Sequence, residues 1–197
     1  NVWNYSFFVP HNPKHLVKLM GGEKQFGTRL DTLFSMYLPD KYFAETEDIT
    51  REGIIGTYVH GNEPAHHVAY LYNYSDRPAK AQSTLRKIME NQYKPQADGL
   101  GGNDDCGQMS AWYIFSAMGF YPMTPASGSY ELGSPAIESA SIHLENGKTF
   151  QITVKNQGPK NVFVKSVSLN GKIISNYQLL HEDVMKGGEM VFELGEN

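Results

Sequence analysis

The sequence predicts an α+β fold, with helices in residues 1–122 and a small antiparallel β domain in residues 123–197. Two observations support this division. Up to Pro122, apolar residues recur at helical spacing between loops that contain glycine and proline. Beyond Pro122, apolar and polar residues alternate over short runs that are separated by Asn-Gly turns. With 197 residues, of which 40% are apolar, the chain is large enough to bury a core.

The first well-marked helix is predicted within "HNPKHLVKLMGG". Asn12 is a favoured N-cap residue, and Pro13 suits the first helical position, where its missing N–H is not needed. Gly21 and Gly22 then supply the stop, since glycine readily adopts the left-handed conformation that ends a helix. These signals together predict a short helix between Asn12 and Gly21.

Four more segments complete a prediction of about five helices before Pro122. The last of them, Gln108 to Phe120, is apolar on nearly every face, which predicts burial on all sides. It is closed by Gly119. The four segments are "TRLDTLFSMYL" with Leu30, Leu33, Phe34 and Tyr37 in phase, "EPAHHVAYLYNYS", "RPAKAQSTLRKIMENQY" with Leu85, Ile88 and Met89 in phase, and "GQMSAWYIFSAMGF".

The β region is predicted from two hairpins and a final strand. Asn146-Gly147 and Asn170-Gly171 each lie between alternating runs, and Asn-Gly is the strongest short hairpin signal because both residues tolerate positive φ. The segment "EMVFELG" predicts a last short strand.

Composition excludes some classes of function. The 17 basic and 21 acidic residues give a net charge of −4, which argues against a nucleic-acid partner. No apolar run is long enough to predict a membrane span. Cys106 is the single cysteine, so a disulfide framework is not expected. The 12 Tyr, 10 Phe and 2 Trp are typical of a core, and they also suit stacking against carbohydrate.

The segment "GGNDDCGQ" places Asn103, Asp104 and Asp105 directly before the last helix. One interpretation is capping, because carboxylates accept backbone N–H bonds and offset the helix dipole at an N-terminus. One acid would satisfy that requirement. The second acid, within a glycine-rich segment that allows close backbone approach, favours a general base or a ligand for a hard cation.

Two other segments are candidate binding elements. His60, Asn62 and Glu63 precede Pro64, and the side-chain oxygens of Asn62 and Glu63 suit calcium or sugar hydroxyls, although an N-terminal cap is the alternative interpretation. His66 and His67 are adjacent, so they point to different helix faces and are predicted to be packing residues.

The N-terminal strip "NVWNYSFFVPHN" is the third candidate. Trp3 either joins the core or stacks on a sugar face. In the second case, Asn1 and Asn4 are placed to hydrogen-bond the sugar hydroxyls.

Taken together, the strip "NVWNYSFFVPHN", the segment "HGNEPAHHVAYLYN" and the block "GGNDDCGQMSAWYIFSAMGFYPMTP" resemble glycoside hydrolase family 92, the exo-acting α-mannosidases. The resemblance covers most of residues 1–145. It implies an N-terminal β-sandwich followed by an (α/α)6 catalytic barrel, of which residues 1–122 would be the C-terminal part. It also implies a calcium ion, inversion at the anomeric carbon, and terminal mannose of α-mannosides and N-glycans as the substrate.

The resemblance also implies roles for particular residues. Asp105 would be the general base, and Asp104 would support or orient it. The calcium ion would lie near Asn62, Asn103 and Asp105. Contacts to the sugar or its leaving group are expected from His60, Glu63, Trp3 and Asn1.

In the family, the general acid is a glutamate two places before the residue that corresponds to Asn1. The chain is therefore expected to be a C-terminal fragment that is inactive alone. Its expected partners are mannose-containing glycans, the N-terminal part of the same polypeptide, and a second copy through apolar helix surface. A periplasmic or secreted location is expected. The alternatives are a non-catalytic carbohydrate- or calcium-binding module, a fragment of another (α/α)6 glycosidase, and a scaffold without ligands.

Overall fold

The computed structural model describes residues 2–42 and 53–197. Within these residues the helices are concentrated in the first part of the chain. None of them is long and apolar enough to cross a membrane. The α-helices are α1 (Val2–Tyr5), α2 (Pro13–Leu19), α3 (Glu23–Ser35), α4 (Ala79–Gln92), α5 (Gln108–Met118) and α6 (His181–Met185), and the 3-10 helices are Asp40–Tyr42, Glu63–Ala65 and Val68–Tyr74.

The described strands form three sheets, and most of them follow α5. The orders are β1-β2, β3-β4-β9 and β5-β6-β10-β7-β8. The strands are β1 (Ile54–Ile55), β2 (Tyr58–Val59), β3 (Phe120–Tyr121), β4 (Ser129–Leu132), β5 (Ser139–His143), β6 (Thr149–Lys155), β7 (Phe163–Leu169), β8 (Lys172–Ile173), β9 (Gln178–Leu180) and β10 (Gly188–Gly195). The predicted α+β class, with helices followed by strands, is confirmed.

Local capping signals predicted the early helices well. The Asn12 side chain accepts a hydrogen bond from the His15 backbone N–H at 3.1 Å, and Pro13 occupies the first position of α2. Helix α3 starts at Glu23, earlier than the apolar pattern suggested, and it ends at Ser35. Tyr37 therefore lies outside the helix and is exposed.

The segment after Pro64 is wound more tightly than predicted. Residues 63–75 form two 3-10 helices, Glu63–Ala65 and Val68–Tyr74, in place of one α-helix. All residues from Val68 to Tyr72 are buried. A 3-10 helix of this length is unusual because its hydrogen bonds are poorer, so packing on every side must hold this one.

Within this chain, helix α5 is buried on one side only, so the predicted burial on all sides is not reached by these residues alone. Met109, Trp112 and Ala117 face the core, whereas Tyr113 and Ile114 are exposed. The predicted stop is confirmed, since Gly119 caps the helix at φ 94°. Phe120, which was assigned to the helix, instead begins β3.

Both predicted hairpins and the final strand are present. β5 pairs antiparallel with β6, and β7 pairs antiparallel with β8. The final strand departs from an all-antiparallel arrangement, because β10 lies between β6 and β7 and runs parallel to β6. The sheet is therefore mixed. Helix α6 precedes β10 and brings the chain back to enter the sheet in this direction.

Two apolar cores, one among the helices and one among the strands, meet at Phe115, which packs against both. Hydrogen bonds also cross between the two parts. Arg86 on α4 donates to the Pro135 carbonyl at 2.6 Å, and the Val164 N–H donates to the Gln82 side chain at 2.9 Å. Helix α4 is therefore fixed to the β region by polar contacts as well as by packing.

A buried carboxylate ties the helical part to the β region at another point. Glu131 on β4 is only 4% exposed. It accepts hydrogen bonds from the Tyr74 hydroxyl at 2.6 Å, from Gln178 at 2.9 Å and from Asn73 at 3.3 Å. Since a buried carboxylate is costly without such donors, these three residues must stay in place for the junction to be stable.

Candidate functional site

The two loops that carry most of the predicted site residues lie directly against each other. A Cβ atom added to Gly61 would lie 2.7 Å from both the Gly101 carbonyl oxygen and the Gly102 Cα. A Cβ atom added to Gly102 would lie 2.4 Å from the Gly61 Cα. The close approach that these glycines allow is therefore between the two loops. It brings the segment 60–63 beside the segment 101–105.

The loop before α5 turns through three successive residues in the left-handed region. Asp105, Cys106 and Gly107 have φ values of 45°, 59° and 88°. For residues with a Cβ atom this conformation is uncommon, so surrounding contacts must hold it. The turn separates the two adjacent acids, which then meet different partners.

Asp104 caps helix α5. Its carboxylate accepts hydrogen bonds from the Ser110 backbone N–H at 2.8 Å and from the Ser110 hydroxyl at 3.0 Å. Its backbone carbonyl also accepts from the Met109 N–H at 3.2 Å. Asp104 therefore satisfies the capping interpretation, and it leaves Asp105 available for another task.

Asp105 is exposed and faces Glu63 of the neighbouring loop. A side-chain hydrogen bond with Glu63 is the main cause that raises the pKa of Asp105. Partial desolvation and the nearby charges of Glu63 and Asp104 act in the same direction. The two loops thus bring the carboxyl groups of Glu63 and Asp105 close together, and this proximity raises the pKa of Asp105.

The other predicted calcium neighbours lie on the same two loops. Asn62 and Glu63 are half-buried, whereas Asn103 is exposed. Within the described residues, no three His, Cys, Asp or Glu side chains are grouped so as to hold a metal ion. The set instead combines two carboxylates with two amides. Oxygen-only donors of this kind suit a hard cation such as calcium, and a cation would relieve the contact between two carboxylates.

His60 is fully buried behind its loop. Its Nδ1 is 2.8 Å from the Tyr58 hydroxyl, and its Nε2 is 2.7 Å from the Tyr93 hydroxyl. Its ring also packs edge-on against Trp112 at 4.3 Å. Burial is the main cause that holds the pKa of His60 well below its usual value, so the ring is neutral. The ring therefore lies inside the protein, with no ring atom exposed.

The predicted packing role of His66 and His67 is confirmed, since both are buried. His66 also joins the first candidate loop to helix α5. Its Nε2–H donates to the His60 carbonyl at 2.9 Å, and its Nδ1 accepts from Gln108 of α5 at 3.3 Å. Burial lowers the pKa of His66 to about 4, which keeps Nδ1 free to accept.

The N-terminal strip forms helix α1, which packs against β2 and against the 3-10 helix that begins at Glu63. Trp3 is half-buried and packs on the first core. Asn4 is buried, and its amide donates to the Thr57 carbonyl at 2.6 Å and accepts from the Val59 N–H at 3.2 Å. The sugar contact considered for Asn4 is therefore wrong, because this side chain fixes β2. Asn1 lies outside the described residues.

The sequence did not reveal three of the residues that support the site. Ser110 holds Asp104, Gln108 holds His66, and Tyr93 holds His60. Ser110 and Gln108 lie in the first turn of α5, where a polar residue is a weak signal for a cap. Tyr93 is separated from His60 by 33 positions, so no local pattern connects them.

A cavity of about 820 Å³ lies elsewhere, between α2 and the strands β4 and β9. Lys14, Lys18, Glu131 and Gln178 are among its lining residues. None of the predicted site residues lines this cavity. We therefore assign the candidate site from the position of the carboxyl pair and not from the size of a cavity.

The structure thus joins a helical part to a β region and places paired carboxyl groups, which are the kind of group that acid–base hydrolysis uses, near the N-terminus of α5. Comparison with known proteins gives the family. Residues 1–196 match the profile described as "Glycosyl hydrolase family 92 catalytic domain", and the chain belongs to this family.

Solved structures and a curated protein support this assignment. A family GH92 alpha-mannosidase from Bacteroides thetaiotaomicron in complex with mannoimidazole is 42% identical with a TM-score of 0.92, over 99% of this chain and 25% of its own. The family GH92 inverting mannosidase from the same species is 33% identical with a TM-score of 0.84, over 99% and 27%. An "Uncharacterized secreted glycosidase" of Arthroderma benhamiae is 32% identical over 99% of this chain and 23% of its own. The chain spans about a quarter of the length of these relatives.

Proposed function

We propose that the polypeptide containing this chain is a calcium-dependent exo-α-mannosidase that inverts the anomeric carbon, and that this chain supplies the general-base side of its active site. The single observation that carries the proposal is the Glu63–Asp105 carboxyl pair, placed where two loops meet. The helical part, residues 1–122, is then the C-terminal portion of an (α/α)6 barrel.

The distance within the pair decides which roles are open to it. In an inverting glycosidase, the acid and the base are about 6.5–9.5 Å apart, because a water molecule must fit between base and sugar. Glu63 and Asp105 share a hydrogen bond, which is far closer. They therefore act on the same side of the sugar. The general acid is then another residue, and we propose the glutamate expected just before Asn1.

Asp105 is the better candidate for the base. It is exposed, so a water molecule can reach it, and its raised pKa makes it a stronger proton acceptor than an ordinary aspartate. Asp104 cannot easily take this role, because its two carboxylate oxygens accept from Ser110. Asp104 would instead orient its neighbour by fixing the loop to α5.

Asn62, Asn103 and Asp105 would hold the calcium ion. Bound there, the ion would bind sugar hydroxyls and help to distort the mannoside ring. Glu63, which lies on the same side as Asp105, is suited to a sugar hydroxyl; the contact to the leaving group expected for it does not fit this position, because the leaving group departs from the opposite face. Trp3 and Asn1 would form a further wall, since α1 packs beside the helix that begins at Glu63.

The relatives support the substrate class and the location. Two are α-mannosidases or mannosidases by description, one of them inverting. The Arthroderma protein is described as secreted, which supports a secreted or periplasmic location. The proposed substrates are terminal mannose residues of α-mannosides and N-glycans. The proposed partner for the apolar face of α5, with Tyr113 and Ile114, is the N-terminal part of the polypeptide or a second copy.

Hydrolysis of an aryl α-mannoside by the complete polypeptide tests the proposal. Asp105→Asn keeps the shape of the side chain and removes its basicity, so turnover should fall about 10²–10⁴-fold. Asp104→Asn is the matched control on the adjacent residue and should cost less. Chelation of calcium should abolish turnover, and added calcium should restore it. If Asp104→Asn lowers turnover strongly and Asp105→Asn lowers it little, the assignment of Asp105 as the base is overturned.

This chain alone should not turn over the same substrate, because the general acid proposed above precedes Asn1 and is not part of the 197 residues. Turnover by the 197-residue chain that is abolished by Asp105→Ala would contradict the division of roles. Proton NMR of the first-formed sugar anomer tests inversion directly.

A further inference from the structure

We propose that His60 and Tyr93 are positioning residues, which hold the two site loops at a fixed separation through a partly buried chain of hydrogen bonds. This inference rests on the proposed function, because it assigns these residues a role in that same site. It also replaces the direct sugar contact expected for His60, whose ring has no exposed atom.

The direction of each hydrogen bond in this chain follows from the donors available. The Tyr93 hydroxyl has one hydrogen, and it donates this to the Met109 carbonyl at 3.1 Å. It must therefore accept from the Nε2–H of His60 at 2.7 Å. A neutral His60 then has an acceptor at Nδ1, which takes the hydrogen of Tyr58 at 2.8 Å. The order is Tyr58 to His60 to Tyr93 to Met109.

The ends of this chain lie beside the two halves of the candidate site. His60 directly precedes Gly61 and lies two residues before Asn62, so its ring fixes the first loop. Met109 receives the last hydrogen bond, and its own N–H donates to the Asp104 carbonyl at 3.2 Å. A shift of either loop would therefore have to break or stretch a buried hydrogen bond.

Packing makes this chain of hydrogen bonds rigid. Tyr58 and His60 have no exposed surface, and Trp112 lies against the rings of both His60 and Tyr93. Additional polypeptide can only bury these residues further, so these hydrogen bonds do not depend on which other part of the protein covers them. A buried network in which every member is satisfied is stiff, because any movement leaves a polar group without its partner.

These hydrogen bonds fix the separation between the two site loops, and the proposed chemistry depends on that separation. Glu63 and Asp105 lie on opposite loops, and their contact requires the loops to keep their relative position. Displacing a catalytic group by about 1 Å can cost about 100-fold in rate. Loss of one hydrogen bond in this hydrogen-bond chain should therefore lower kcat even in a variant that stays folded.

Tyr93→Phe is the test, since it removes the hydroxyl and keeps the ring that stacks on Trp112 with an interplanar angle of 3°. Tyr70→Phe is the matched control. Its hydroxyl is also buried and also bonds to α5, but at Ser116, well away from the loops. In the complete polypeptide we expect kcat on an aryl α-mannoside to fall about 10- to 100-fold for Tyr93→Phe, with KM little changed. Tyr70→Phe should keep its kcat.

Amide hydrogen exchange supplies a readout that does not need activity. The Ala65 N–H bonds to the Asn62 carbonyl, and the Ser110 N–H bonds to the Asp104 carboxylate. Both amides should exchange faster in Tyr93→Phe than in Tyr70→Phe when the two variants are equally stable. If the wild-type polypeptide is inactive but the two variants show this difference in exchange, the proposed function is rejected and the positioning role is retained. Equal kcat values and equal exchange in the two variants would reject the positioning role.

Discussion

The buried His66 should make the stability of this protein depend on pH. His66 is 2% exposed, and burial lowers its pKa from 6.5 to about 4. The unfolded chain therefore binds a proton at a higher pH than the folded protein does. Between these two pKa values the unfolded state holds more protons, so stability is full above about pH 6.5 and is lost as the pH falls toward 4.

The size of this effect follows from the two pKa values. Each unit of difference is worth about 1.36 kcal/mol, so His66 alone accounts for a loss of about 3 kcal/mol by pH 4. About 2 kcal/mol of this should already be lost at about pH 5. Burial also lowers the pKa values of His60 and His67, so both add to the loss in the same direction. Asp105 lies nearby, and its charge opposes the shift of His66 only weakly.

Urea denaturation at several pH values between 7 and 4 measures this loss. His66→Gln should flatten the dependence by about 2 kcal/mol between pH 7 and 5, because glutamine carries a donor and an acceptor but does not titrate there. His15→Gln, on the exposed side of α2, is the matched control and should leave the dependence unchanged. If His66→Gln does not fold, the ring proton signals of His66 can be followed by NMR in the wild-type protein. A His66 ring that titrates near pH 6.5 would refute the reasoning.

Three further changes should lower stability by amounts that denaturation can measure. Gly61→Ala places a Cβ atom 2.7 Å from backbone atoms and should cost about 1–3 kcal/mol. Gly158→Ala is the control, because its added Cβ atom would make only an ordinary contact with the Asn161 side chain at 3.8 Å; equal stabilities would contradict the loop contact. Tyr74→Phe removes the 2.6 Å hydrogen bond to the buried Glu131 and should cost about 1.5–3 kcal/mol; no loss would mean that Glu131 is satisfied without it. Asn12→Ala removes the cap of α2 and should cost about 1 kcal/mol, whereas Asn12→Ser should largely retain it.

Signals that act over a few residues predicted the fold best. The Asn12 cap depends on an N–H three positions away, and the Asn170-Gly171 turn depends only on its own φ values. Pairing between distant strands has no such signal. The parallel position of β10 depends on which edge of β6 is free once the β5 hairpin has formed, and the residues of β10 do not encode that.

For the candidate site too, the sequence predicted some features and missed others. The adjacent acids Asp104 and Asp105 stood out because one cap needs only one acid. Their separation into a capping residue and a free one depends on Ser110, and the left-handed turn that begins at Asp105 is not visible in the sequence. His60 was misplaced for a related reason. Its two hydrogen-bond partners are Tyr58 on β2 and Tyr93, which lies 33 positions away, so only the assembled fold shows that its ring points inward.

The contact between Gly61 and Gly102 has a consequence for how this sequence can diverge. Because the two backbones touch there, neither position can acquire a side chain while the other loop keeps its path. A homologue that carries a larger residue at the position of Gly61 must have moved its 101–102 segment, and with it the acid that follows. The two positions should therefore change together across relatives, and the geometry of the carboxyl pair should differ between the resulting subgroups.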